Sequence, residues 1–387
     1  MTSDRDAPFA RALRRLRGER AMSVRALADR ARYGKTYISE LELGQKPPTE
    51  AVARRLDDVL DTGGELARMI ARTDAEESPP RQADRAEPLG DRDIERLRDT
   101  IRHLVALDTL HGSEGLAGSA SRTFRGTRDR LGVAGVRPHQ RDDLLVTLAE
   151  LGEVAAWLAF DSEHQDASRR IATEAVLLAQ AAGDTSMVRF LMNHLSMQAV
   201  YLGRPAEALD LAGRVLADDP HSPRVTGMMR VRRARALAQL GDPIDALREL
   251  KLAQRGFDKG VGPDDPSWTW WWHAAEFARH ETHIRRADGD VHGAVATSER
   301  AVLSLPTAQG RDQAVFRADL LCDLVEAHAW HDADRVAQDL ARVAAGVGSA
   351  RVHRTIQRAE RRGVRNRAPR WLLDAIQEAA AAADPAA

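Results

Sequence analysis

Apolar side chains along this chain recur three and four residues apart, the spacing that gives a helix one buried face. Phe9, Leu13 and Leu16 fall at i, i+4 and i+7. Val52, Leu56 and Leu60 keep four-residue steps, and Leu97, Ile101, Leu104 and Val105 form a further stripe. Strand-type runs of Val, Ile, Thr and Tyr are absent, so the expectation is an all-α protein. Punctuation between the first stripes is legible. Asp6 and Pro8 open a helix, with a capping residue ahead of a ring whose φ suits the first turn. Gly18 weakens its end, and Ser23 caps a second helix bearing Leu27, Ala28 and Ala31. A third helix, from about Lys35, turns Ile38 and Leu41 inward and stops at Gly44, ahead of Pro47-Pro48. Thr49 caps a fourth helix, and Thr62-Gly63-Gly64 breaks before a fifth.

The run SVRALADRARYGKTYISELELGQKPP resembles the phage-repressor, or xenobiotic-response-element (XRE), class of helix-turn-helix domains. The likeness covers roughly Phe9 to Ile70. It departs at Val24, where the family often has glutamine, and in the turn Arg32-Tyr33-Gly34. In that family the third helix enters the major groove. The resemblance therefore implies base readers at Lys35, Thr36 and Glu40, with Ser39 beside them. Lys35 would donate to guanine, and Glu40 would accept from a cytosine amine. Ser23 and the first amides of the second helix would hold one phosphate, and Gln45 with Lys46 another. A basic excess from Leu13 to Lys46, with Arg11, Arg14, Arg15 and Arg17 around the first apolar stripe, suits a phosphate surface.

Thr73 to Arg92 is nearly free of apolar residues, carries three prolines and mixes both signs of charge. That composition predicts a linker, which divides the chain into a five-helix head (1–72), the linker (73–92) and a helical remainder (93–387). Within the remainder three segments align: YLGRPAEALDLAGRVLADDP, QLGDPIDALRELKLAQ and RADGDVHGAVATSERAVLSLP. Each has a glycine followed five residues later by an alanine: Gly203/Ala208, Gly241/Ala246 and Gly289/Ala294. Two end on proline at the same offset, Pro220 and Pro306, and weaker copies lie at Leu148 to Ala181 and Leu320 to Val347. These segments resemble tetratricopeptide repeats, helix pairs that stack into a solenoid. In such arrays the first helix of each pair lines the concave side. Counting back from each glycine, that side would carry Asn193, Met197, Tyr201, Arg235, Gln239, Glu276, Arg279 and His283, a wall suited to an extended peptide or small molecule. Trp271 joins them as a candidate from the cluster Trp268, Trp270, Trp271 and Trp272, since neighbouring tryptophans cannot all be buried by one helix face.

The remaining chemistry is mostly exclusion. A formal charge of −1 over 387 residues means that any nucleic-acid surface is local. A single cysteine, Cys322, excludes an internal disulfide framework and fits a reducing compartment. Neither a membrane-length apolar run nor a signal-peptide core is present, so the expectation is a soluble cytoplasmic protein. No phosphate loop, dinucleotide fingerprint, zinc-protease motif or nucleophile elbow occurs, and the chain reads as a non-enzyme without metal or cofactor. His273, His280 and His283 lack cysteine or organised carboxylate partners.

A phage-repressor-like head joined to tetratricopeptide-like repeats looks like a bacterial transcriptional regulator. It is similar to a large actinomycete set, and in architecture to peptide-pheromone receptors of Gram-positive bacteria. That resemblance implies a homodimer on a double-stranded DNA operator, with the repeats dimerising and sensing a peptide or small-molecule effector. The competing reading is an adaptor whose repeats grip a protein partner, with DNA binding used for autoregulation.

Overall fold

The computed structural model describes residues 7–69, apart from 21, 32, 47 and 63, and residues 88–384, apart from 219–221 and 306–309. Asp6, Pro47, Pro220, Pro306 and most of the expected linker lie outside the described residues. The chain divides into two compact units, Met1–Arg85 and Ala86–Ala387. Both are α-helical, and no strand occurs among the described residues; the one β-type pairing is an isolated bridge between Leu89 and Val136.

The first unit has helices α1 (Ala7–Glu19), α2 (Val24–Ala31), α3 (Lys35–Glu42) and α4 (Glu50–Leu60), with a further helical turn over 65–69. The expected stripes form its core: Leu13, Leu27, Ala31, Ile38, Leu56 and Leu60 are fully buried. The caps hold too, as the Ala26 amide donates to Ser23 Oγ at 3.1 Å and the Val52 amide to Thr49 Oγ1 at 3.3 Å. Ala28 and Ala31 keep α2 thin, so that α3 packs closely across it. Gly44 turns the chain out of α3 with φ +67°, a region that side-chain-bearing residues avoid. Buried Asp57 caps the last helical turn, accepting from the Leu66 amide at 2.9 Å and the Ala67 amide at 2.8 Å.

The second unit begins earlier than the composition suggests. Leu89 is fully buried and Gly90 caps α5 (Asp91–His111), so the linker does not extend to Arg92. Among the described residues thirteen more α-helices follow: α6 (Leu116–Ala134), α7 (Arg141–Asp161), α8 (Gln165–Ala181), α9 (Thr185–Tyr201), α10 (Pro205–Ala217), α11 (Pro223–Gln239), α12 (Pro243–Phe257), α13 (Ala274–Ala287), α14 (Val291–Leu303), α15 (Gly310–Glu326), α16 (Trp330–Ala344), α17 (Ala350–Arg365) and α18 (Arg370–Ala382). They stack as helix pairs. The three aligned glycines sit between the helices of a pair with φ of 69°, 80° and 79°, and the alanine five residues on is buried each time. Three further pairs make the same turn without glycine: Glu163, His328 and Arg367 adopt φ of 62°, 58° and 57°. Ser168, Ala333 and Leu372, again five residues on, are fully buried. In all six turns the next amide donates back to the carbonyl five residues earlier, as in Arg204 to Ala199 at 2.8 Å and Ala329 to Leu324 at 2.9 Å. That bond satisfies a carbonyl left open at the helix end. The turn geometry is therefore the repeat's invariant, and glycine is only one way to make it.

The array returns on itself. The Gly348 amide donates to the His111 carbonyl at 2.7 Å, and the Glu114 amide to the Gly348 carbonyl at 2.9 Å. Helix α5 packs against α15. The seam is lined by glycine for lack of room: a Cβ on Gly112 would stand 2.6 Å from the Gly348 carbonyl, and one on Gly348 2.7 Å from Glu114 Cβ.

Candidate functional site

Two surfaces bring the candidate residues together, one in each unit. In the first unit, burial of Ile38, Leu41 and Glu42 fixes the rotation of α3. The helical period then turns Thr36, Ser39 and Glu40 away from that core, and Lys35, the first residue of the helix, is exposed at its N-terminal end. Lys35 and Thr36 are exposed, Ser39 and Glu40 half-buried, and Ser23, Gln45 and Lys46 exposed nearby in the sequence. Lys35 makes no ion pair with a described residue, whereas Lys46 Nζ lies 3.7 Å from Glu40 Oε2 and 5.1 Å from the Tyr37 ring centre. Glu40 is thus tethered within the protein in this state.

The arginines of α1 are not the free basic rim that the sequence suggests. Arg17 Nη2 donates to Glu42 Oε2 at 2.9 Å and Arg14 Nη2 to the Glu42 carbonyl at 2.8 Å, locking α1 to the end of α3. Arg15 pairs with Glu19 and Glu65. Three of the four basic residues around the first stripe therefore make bonds within the unit, and Lys35 stands out as the unpaired cation of α3.

In the second unit, side chains from the first helix of every pair converge on one cavity of about 730 Å³. Helices α5, α7, α9, α11, α13, α15 and α17 line it, together with the segment 267–273, and the second helices contribute nothing. All nine candidates lie on this wall: Asn193, Met197, Tyr201, Arg235, Gln239, Trp271, Glu276, Arg279 and His283. The expectation of a concave groove is modified by the seam, which joins the two ends of that groove. The tryptophans divide among environments along a short 3₁₀ helix (Ser267–Trp271). Trp272 is core, Trp270 is 60% exposed, and Trp268 and Trp271 border the cavity. Trp268 stacks on Phe190 at 4.6 Å and donates to Ser186 Oγ at 3.0 Å.

Charge in the cavity is dense and unevenly paired. Arg279 Nε donates to Asp319 Oδ2 at 2.8 Å, and Arg286 donates to Asp323 at 2.6 and 2.8 Å. Burial opposes ionisation of Asp319, yet Arg279, Arg286 and Arg358 outweigh it and hold the carboxyl at about 2. Arg232, 2% exposed, instead bonds neutral groups: Asn193 Oδ1 at 2.9 Å and His280 Nε2 at 3.3 Å. Arg235 Nη1 reaches the other ring nitrogen, His280 Nδ1, at 3.4 Å. Neither Arg232 nor Arg235 has a carboxylate within ion-pairing distance among the described residues. Burial pushes their guanidiniums down to about 10 and about 9, with Arg279 adding to the fall in both. His280 and His283 are held well below the usual imidazole range, first by burial and then by the surrounding arginines. At the opposite wall Tyr201 donates to Glu163, and burial with that bond raises its phenol.

Several residues that hold the cavity wall together escape the sequence reading. Asp161, fully buried, accepts from Arg351 at 2.7 Å and Ser113 at 3.0 Å, and lies 3.4 Å from Arg311. Burial alone would raise its carboxyl; the two guanidiniums reverse this and lower it. Arg311 and Arg351 also sit over the Trp157 ring at 4.9 and 5.4 Å. Arg232 was within reach, one helical turn before Arg235. Asp161 and Arg351 stand 190 residues apart, and no local pattern joins them.

Residues 8–69 match a family described as a helix-turn-helix domain. No curated protein matches the chain. Among solved structures the chain is similar to the crystal structure of Bacillus thuringiensis PlcR in complex with the peptide PapR7 and DNA. The two share 11% identity and a TM-score of 0.35, over 84% of this chain and 98% of that chain.

Proposed function

We propose that this protein is a sequence-specific, non-enzymatic DNA-binding transcriptional regulator whose repeat unit senses a ligand in its cavity. The observation that carries the first half is the exposed N-terminal end of α3. Lys35 and Thr36 project from a helix rotated by three buried neighbours, within a segment matching a helix-turn-helix family. A helix so presented fits the major groove and offers donors to base edges. The second half is supported by the convergence of seven inner helices on one cavity, whose volume is that of a small-molecule site. One such head makes few base contacts, so the reading includes two copies on a two-fold operator.

The test is selection of duplexes from a randomised pool by the full chain, followed by Lys35→Ala and Thr36→Ala. The expected result is one enriched sequence class with two half-sites, whose enrichment the variants lose while their helicity is unchanged. An unenriched pool, or variants that select as well as the parent, would overturn the reading. Sedimentation of the full chain at micromolar concentration tests the dimer, and a monomer that binds the selected duplex undiminished would remove it.

A further inference from the structure

The cavity is rich in donors and short of acceptors at one place. Arg232 and Arg235 approach the two ring nitrogens of His280, at 3.3 and 3.4 Å. Surrounded by guanidiniums, that imidazole is neutral, and a neutral imidazole has one acceptor and one N–H. It can therefore accept from one of these arginines only; the other faces a second donor or must find its partner elsewhere. Arg232 has Asn193 on Nε, but its Nη2 makes no hydrogen bond with a described residue. Arg235 makes no other hydrogen bond with a described residue. Gln239, one turn further along α11, turns its amide to the Val200 carbonyl at 2.8 Å. The nearby carboxylates are engaged: Asp319 by Arg279, Asp323 by Arg286, and Glu276 lies 3.8 Å from Arg279 and 3.7 Å from His280. Arg232 is buried and Arg235 half-buried, both on the cavity wall; guanidiniums this desolvated and short of acceptors favour an anion, and one oxyanion in the cavity would satisfy both.

Next to this site the wall turns apolar. On α9, Phe190, Asn193, Met197 and Tyr201 share a face at helical spacing, so the residue bonded to Arg232 sits between two apolar neighbours. Trp268 lies flat on Phe190 at 4.6 Å and extends that surface.

We propose that the cavity binds a small organic anion, its carboxylate or phosphate received by Arg232 and Arg235 and its apolar body lying along Met197, Phe190 and Trp268. This rests on the reading of the cavity as a ligand site and gives that ligand its chemistry.

The test uses the full chain without DNA and two fluorescent probes. One is 8-anilinonaphthalene-1-sulfonate; the other is its uncharged counterpart, N-phenyl-1-naphthylamine. The sulfonate is expected to bind at least about tenfold tighter than the amine, the worth of one charge-assisted hydrogen bond. Arg232→Gln with Arg235→Gln should remove that preference while leaving amine binding, which reports an intact cavity, unchanged. If the double variant fails to fold, Arg235→Gln alone decides, since this side chain has no ion pair to lose. Displacement of the sulfonate by 4-phenylbutyrate or phenyl phosphate, at concentrations where 4-phenylbutanol has no effect, supports the site; the more potent anion identifies the headgroup. Equal affinity for the two probes, undiminished sulfonate binding in the folded variants, or equal displacement by the alcohol overturns it. A tight probe that leaves affinity for the selected duplex unchanged would instead overturn the sensor reading and leave the anion site standing.

Discussion

The two units of this protein are built from the same material, short arginine-rich amphipathic helices, and use their charges in opposite directions. In the helix-turn-helix unit two buried carboxylates, Glu42 and Asp57, tie the frame together, and Lys35 is exposed to solvent. In the repeat unit charge is turned inward: Arg232, Arg351, Asp161, Asp319 and Asp323 are all buried. A surface cation is solvated and interacts with phosphate at long range, which makes its contribution salt-dependent. A buried one is short-ranged, dependent on its partner and poorly screened. The arginine content of a helix thus says little about its role; what decides is whether the arginine shares a face with the apolar stripe.

The contrast can be broken most sharply at the buried end. Asp161→Ala strands buried Arg351 without its carboxylate, while Arg311 keeps Asp312 at 2.8 Å; the loss should cost the repeat unit about 3–5 kcal/mol. All seven tryptophans lie in this unit, so urea titration followed by tryptophan fluorescence reads it alone. A shift under about 1 kcal/mol would mean that the seam does not depend on the pair. The effect has a defined pH sense. The Asp161 carboxyl is lower in the folded than in the unfolded chain. Its contribution is complete above the unfolded value of about 3.9 and disappears as pH falls through the lower folded one. The gap between parent and variant should therefore narrow only on strong acidification.

The exposed end should respond differently. Lys35→Ala and Thr36→Ala should each cost about 1–3 kcal/mol at the selected duplex and leave urea stability unmoved. Lys46→Ala should weaken all duplexes alike and reduce the slope of log affinity against log salt by about one. A sequence-dependent loss at Lys46 would show that it orients Glu40 rather than holding phosphate. The smallest effect sharpens the comparison within the repeats. Arg367→Gly replaces an exposed residue at φ 57° and should stabilise the unit by about 0.5 kcal/mol, the strain relieved less the added backbone freedom of glycine.

The head was legible because its signals are local: caps, stripes and turns lie within a few residues of what they control. Ser23, Gly44 and Thr49 each ended or began a helix where the sequence placed them. The inner wall was legible from three glycines, because the turn fixes the rotation of the preceding helix, and with it the face bearing Asn193, Arg235 and Glu276. The copies without glycine were harder to see, since Glu163, His328 and Arg367 leave no compositional mark of a left-handed turn. What could not be read was pairing. Arg14 and Arg17 look like a phosphate rim until Glu42 is seen beside them. The contacts of Arg232 with Asn193 and His280 join residues 39 and 48 positions away, beyond any helical period.

The joining of Asp161 to Arg351 has a consequence for biosynthesis. The carboxylate leaves the ribosome 190 residues before its partner. At 5–20 residues per second that is a wait of roughly 10–40 s. During this interval the early helix pairs can stack, but Asp161 has no guanidinium until Arg311 is made, 150 residues on, and lacks Arg351 to the end; the edges of the seam at His111 and Glu114 stand open meanwhile. The head, complete within the first 70 residues, can fold long before. The nascent chain thus passes through a period in which a finished helix-turn-helix unit is attached to an unfinished repeat unit. Only synthesis of α17, close to the end of the chain, closes the cavity and brings the two into force together.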